Sequence, residues 1–157
     1  MPSTAQHDLT RRLDRVAIEA LKYSYAHWCD RDYAPDELAH LFLQNATWDG
    51  DIFGVHEGRV AIRAFFEEAG RQVSFATHYL LNPEIELNGD MAVGKWMLWQ
   101  QLVLRETGQA FWLMGRYTDT YARVADQWKI ASLKLKILSF TPYEEGPGKT
   151  LIATIAA

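Results

Sequence analysis

One cysteine, Cys29, is all that 157 residues provide. Neither an intrachain disulfide nor a cysteine-built zinc site is open to such a chain. Basic charge is not in excess either. Lys and Arg number 16 against 20 Asp and Glu, a net charge of −4, whereas a nucleic-acid binder carries a basic stripe. No apolar run approaches the ~20 residues that cross a bilayer. The opening stretch MPSTAQHDLTRRLDR holds no apolar signal core. There is no His-Glu-x-x-His pair, no Gly-x-Gly-x-x-Gly, no phosphate loop and no Gly-x-Ser-x-Gly elbow. These gaps set the expectation of a cytoplasmic protein with no metal, no cofactor, no nucleic-acid partner and no membrane partner.

What is abundant is aromatic. Such residues make up 13% of the chain and include six Trp, more than a core of this size needs. The length fits a single domain over 1–157, able to bury roughly 68–70% of its unfolded surface and still keep a pocket.

Apolar periodicity predicts a helix from about His7 to Cys29. Its stripe is Leu13, Val16, Ala17, Ala20, Leu21, Ser24, Tyr25 and Trp28. Tyr25 and Trp28 are thereby expected to point inward, with Lys22 on the opposite side. Ala34-Pro35-Asp36-Glu37 has proline and acids where a second helix starts, running to about Leu43 with Asp32 as its cap. Ala46-Thr47-Trp48 reads as a short strand, and a third helix runs to about Gln72. Four long strands follow, with turns at Asn88-Gly89-Asp90, Glu106-Thr107-Gly108 and Ala125-Asp126. Residues 144–157 read as a loop and a weakly apolar tail that could rest on a neighbouring subunit. Helices segregated from a run of strands imply an α+β fold. Strands this long must twist and curl, so the expected architecture is a cone-shaped curved sheet with three helices across its open face.

The first of the long strands, Phe75–Leu87, carries His78. Here His78 and Leu80 are even and Ile85 and Leu87 odd, so an unbroken strand would put the two pairs on opposite faces. A bulge at Asn82-Pro83 adds one residue and resets the alternation. All four then face inward. An inward histidine is either a hydrogen-bonded core residue or a general base. Asp30 closes the first helix, where the macrodipole disfavours an anion. It serves either a turn or a partner inside the cavity. A carboxylate on one imidazole nitrogen would fix the tautomer and leave the other nitrogen as a base. Tyr25 is a core ring or a phenol donating to a substrate oxygen. Trp28, Trp48, Phe53, Trp96 and Trp112 are the expected walls for a flat, apolar small molecule, with Lys136 at the rim.

In order and spacing, Tyr25-Ala26-His27-Trp28-Cys29-Asp30, Asn45-Ala46-Thr47-Trp48, Thr77-His78-Tyr79 through Asn82-Pro83-Glu84-Ile85, and Gly115-Arg116-Tyr117-Thr118-Asp119 through Trp128-Lys129-Ile130 resemble the SnoaL-like branch of the nuclear-transport-factor-2-like superfamily. That branch includes scytalone dehydratase, bile-acid dehydratase, hexachlorocyclohexane dehydrochlorinase, polyketide cyclases and steroid isomerases. The resemblance implies the same α+β cone. It also implies a catalytic dyad of Asp30 and His78 assisted by Tyr25, and no cofactor. Dehydratase-like members also use an Arg on the last strand. Here that region is Leu133-Lys134-Leu135-Lys136, with Lys136 the one candidate to stand in. The expected function is elimination of water from a small apolar ring compound by a homodimer or homotrimer. Isomerase or cyclase chemistry on the same base, a non-catalytic binding domain, and a β-subunit of a ring-hydroxylating dioxygenase are the alternatives.

Overall fold

The structure, a computed structural model, describes Met1 and residues 3–155. Its frame is a meander of β3 (Val73–Asn88), β4 (Met91–Leu104), β5 (Ala110–Val124) and β6 (Gln127–Pro142). Left-handed residues Gly89, Gly108 and the pair Ala125-Asp126 close the three turns. β1 (Phe42–Asp49) runs parallel to β6, and the short β2 (Val55–Glu57) pairs antiparallel with β1. The order β2-β1-β6-β5-β4-β3 leaves β3 at an edge. Three helices, α1 (Thr4–Cys29), α2 (Pro35–His40) and α3 (Arg59–Gln72), complete an α+β fold with a mixed, curved sheet.

Period-two burial defines the inner face. Leu98, Gln100 and Leu102 of β4, Leu113, Tyr117 and Tyr121 of β5, and Leu133 and Leu135 of β6 are all buried. On β3, Leu81 pairs with Met97 and Glu84 with Lys95. Asn82 and Pro83 therefore oppose the single residue Trp96, and Asn82 has φ +52°. This is the bulge that the parity of His78 and Ile85 required.

Three expectations are corrected. α2 stops at His40, not Leu43, because Phe42 is fully buried against the sheet as the first residue of β1. Asp32 does not cap α2, whose N-cap is Ala34; it sits in the left-handed region at φ +54°. The stripe of α1 is also displaced. Leu13 and Val16 are exposed, while Asp14, Ile18, Lys22, Tyr25, Ala26 and Cys29 are buried. Apolarity alone misplaces the stripe because the sheet supplies partners for two charges on the buried side. Arg123 and the Trp128 indole donate to Asp14. Lys22 Nζ lies 2.8 Å from Asp119 Oδ2 and 3.5 Å above the Tyr117 ring. Tyr121 donates to the same Asp119 oxygen and accepts from the Trp96 indole. Burial pushes the Lys22 ammonium down and the Asp119 carboxyl up, and each partner's charge opposes the other's shift.

The tail returns along β6, where the Phe140 N–H donates to the Leu151 carbonyl and Ile152 bridges Phe140, while Leu151, Ile152 and Ile155 stay exposed. Its last two residues lie outside the described residues.

A buried ion pair that loses one partner leaves an uncompensated charge, at a cost of about 3–5 kcal/mol. Lys22→Met is expected to lower the unfolding free energy by about that much. Adding Asp119→Asn, which keeps an acceptor for Tyr121, is expected to restore most of it. Urea denaturation of the single and double variants checks this.

Candidate active site

The last turn of α1 delivers Asp30 to the edge of the sheet. Because β3 has a neighbour on one side only, the His78 N–H is free to find a partner elsewhere. Asp30 Oδ1 and Oδ2 accept it at 3.0 and 3.2 Å. Oδ1 also accepts from the ring of the same residue, 2.6 Å from Nδ1. An ionised carboxylate only accepts, so this contact places a hydrogen on Nδ1, and in the neutral ring the lone pair is then on Nε2. These charge-assisted bonds offset the unfavourable placement of an anion at a helix C-terminus. The His78 side chain is only 4% exposed and Asp30 29%.

His78 lines a cavity of about 180 Å³ between the curved sheet and the helices. A cavity of about 150 Å³ accommodates benzene, so this one has room for a small ring compound. Its walls include Tyr25, Tyr33, Trp48, Phe53, Phe65, Phe66, Gln100, Leu102, Tyr117 and Leu135, with Ile155 of the tail among them. Of the expected site residues, the structure brings Tyr25, Trp48, Phe53 and His78 to this cavity, with Asp30 behind the imidazole. Tyr25 is buried, and its hydroxyl accepts from the Trp48 indole at 3.0 Å. Its own hydrogen is thereby left to donate.

Four expected wall or rim residues lie elsewhere. Trp28 sits outside, in a shallow groove with Asp36, Glu37, His40 and Leu41. Trp96 faces inward but is sealed beside Tyr121 and Tyr23. Trp112 follows the even parity of β5 to the outer face, where it stacks on Tyr143. Lys136 also points outward, 73% exposed and 3.6 Å from Asp51. The residue of that stretch that lines the cavity is Leu135, so the cavity has an alkyl group where the resemblance led to a cation. Among the described residues, no Lys or Arg lines the cavity, and Glu68, paired with Arg71, is its one carboxylate.

Sequence reasoning missed Tyr33, Gln100 and Tyr117. Tyr117 was legible as an odd, inward member of β5. Gln100 is a buried amide directly across the β3–β4 ladder from His78, a signal hidden until the register is known. Tyr33 had no periodic signal, since it lies in the connection after α1. It and Asp32 both adopt positive φ, +51° and +54°, a sparsely populated region for a bulky side chain. α3 braces this turn: a Cβ on Gly70 would collide with the Asp32 carbonyl oxygen. The Tyr33 ring stacks on Phe66 and meets the His78 ring edge-on, 5.9 Å between centroids. Burial pushes the hydroxyls of Tyr25, Tyr33 and Tyr117 well up, so all three are held as neutral donors. It likewise pushes the Cys29 thiol up, which leaves Cys29 unreactive.

A model of the SnoaL-like domain matches residues 10–134. No curated protein matches the chain. Among solved structures, one described as a proposed aromatic ring hydroxylase of Novosphingobium aromaticivorans is 27% identical, with 82% of this chain and 92% of that one covered and a TM-score of 0.77. A type 2 hexachlorocyclohexane dehydrochlorinase is 24% identical over 86% of this chain and 92% of its own, with a TM-score of 0.81. One described as a proposed scytalone dehydratase of N. aromaticivorans is 24% identical over 85% and 90%, with a TM-score of 0.79. A model that spans most of the chain, on a fold these structures share, makes this protein a member of the SnoaL-like domain family.

Proposed function

We propose that this protein is a cofactor-independent lyase that removes water from a small, neutral, mostly apolar cyclic carbonyl compound. The observation that carries the reading is the His78 ring, held at Nδ1 by Asp30 2.6 Å away on the wall of an aromatic cavity. His78 Nε2 takes the proton on the carbon next to the carbonyl. The C–H electron pair enters a new C=C bond, and charge collects on the carbonyl oxygen. As the carbonyl re-forms, hydroxide leaves the adjacent carbon and takes the proton from Nε2, departing as water. Asp30 offsets the positive charge on the ring between the two steps. Tyr25, a phenol held neutral, donates to an oxygen of the substrate. That no Lys or Arg lines the cavity among the described residues favours a neutral substrate and a leaving group that departs by taking up a proton. The likeness to structures named as a dehydrochlorinase and a proposed dehydratase supports the class. Proton return to a different carbon would make the same site an isomerase.

A second reading draws on the relative named as a proposed aromatic ring hydroxylase: a companion subunit of an oxygenase, which would keep the cavity without needing the dyad. The two are separated by presenting one- and two-ring β-hydroxy ketones and following enone absorbance. His78→Ala is expected to slow enone formation by about 10²–10⁴-fold, and Asp30→Asn to slow it as well. Unchanged rates in both variants would overturn the lyase reading.

We also infer self-association as a homodimer or homotrimer through the outer sheet face. Phe75, Tyr79, Leu81, Trp99 and Met114 are all substantially exposed there, and Trp112 and Tyr143 extend the patch. Contiguous apolar surface of this kind marks an interface, and a closed symmetric assembly of identical chains covers it without a second gene product. Sedimentation is expected to give a dimer or trimer that Trp99→Lys shifts toward monomer. A wild-type monomer at micromolar concentration would overturn the inference.

A further inference from the structure

We propose that Tyr33, oriented by Gln100, is the donor that holds the oxygen of the enolate formed when His78 takes a proton. This rests on the His78 base reading and names the residue that would stabilise its intermediate. In an enolate the charged oxygen is two bonds from the carbon that lost the proton. Its donor must therefore stand on the same wall as the base. Tyr33 does: its ring meets the imidazole at 5.9 Å. Its hydroxyl is reached by the Nε2 amide of Gln100 at 3.3 Å, and Gln100 is the cross-strand partner of His78. Residues so paired have adjacent side chains on one face. Tyr25 shares Phe66 as a neighbour with Tyr33, at ring separations of 6.1 and 6.2 Å. It suits the leaving oxygen or a more distant group.

The direction of the donor is set as well. Because the Gln100 amide donates to the Tyr33 oxygen, the phenol's own hydrogen is displaced to another direction. Among the described residues no protein acceptor takes that hydrogen. The cavity is the open direction. Burial keeps the proton on Tyr33, so it stabilises the enolate by hydrogen bonding without giving the proton up. The strained turn at Asp32 and Tyr33, braced by Gly70, fixes the ring before any substrate arrives. The substrate class narrows accordingly to compounds whose departing proton is α to a carbonyl.

The test needs no natural substrate. The probe is 2-tetralone in D₂O, whose α-protons exchange whenever a base forms the enolate; exchange is followed by proton NMR. The wild-type protein is expected to exchange them above the buffer rate, His78→Gln to lose this, and Tyr33→Phe to slow it by about 10²-fold, as loss of one preorganised donor does. A second readout compares 2-naphthol, a planar mimic bearing the oxygen, with naphthalene, which lacks it. Tyr33→Phe is expected to weaken 2-naphthol at least tenfold and leave naphthalene unchanged, a difference that mere loosening of the wall would not produce. Should Tyr33→Phe not fold, Gln100→Leu takes its place, with slower exchange and weaker 2-naphthol binding expected. Wild-type exchange that needs His78 but is indifferent to Tyr33→Phe or Gln100→Leu would overturn the Tyr33 assignment and leave the base in place. Exchange at the buffer rate by the wild-type protein would overturn the base reading and the Tyr33 assignment together.

Discussion

The carboxylate of Asp30 ties the end of the longest helix to the free edge of the sheet. It meets one residue of β3 twice, at the backbone N–H and at the ring nitrogen. Edge strands expose unpaired N–H groups, and a helix C-terminus repels anions. Each of these local problems is resolved by the other. The rotamer of His78 and the hydrogen on Nδ1 follow from that one carboxylate, which also pins the end of α1 to the sheet. A site built this way does not need a substrate to assemble it.

Behind the site, polar groups replace the apolar filling usual at the core of a curled sheet. Trp96, Tyr121, Asp119 and Lys22 form a buried chain that ends over the ring of Tyr117. Its cost in desolvation is real. The 2.8 Å ion pair of Lys22 with Asp119 and the hydrogen bond from Tyr121 tie α1 to β5 and so set the direction in which Tyr25 points. The aromatic rings of the cavity, from Tyr33 through Phe66 to Tyr25 and Tyr117, then rest on a rigid floor.

How much of this was legible in the residues depended on whether the signal was local. The order of elements, the turns and the bulge at Asn82-Pro83 were readable because parity and turn chemistry are carried by neighbours in sequence. His78, Asp30, Tyr25, Trp48 and Phe53 could be named for the same reason, helped by the family resemblance. The buried face of α1 was misread because Asp14 and Lys22 are buried only by virtue of Arg123 and Asp119, partners about a hundred residues away. Trp96 and Trp112 were misassigned because aromaticity tells nothing of depth or face; Trp112 was already on the outward parity of β5. Tyr33 was invisible. It comes from a turn without period, and its place beside His78 exists only once α3 presses on that turn at Gly70.

The extra residue in β3 does more than restore an alternation. It divides one continuous strand into two segments whose in-and-out phases are independent of each other. Upstream, the phase turns His78 toward the cavity; downstream, it serves the packing of Ile85. Loss or gain of a single residue at Asn82 would force one segment to give up its inward set. The integrity of the pocket and the integrity of the core are thus coupled through chain length at one point, however distant their side chains are in space.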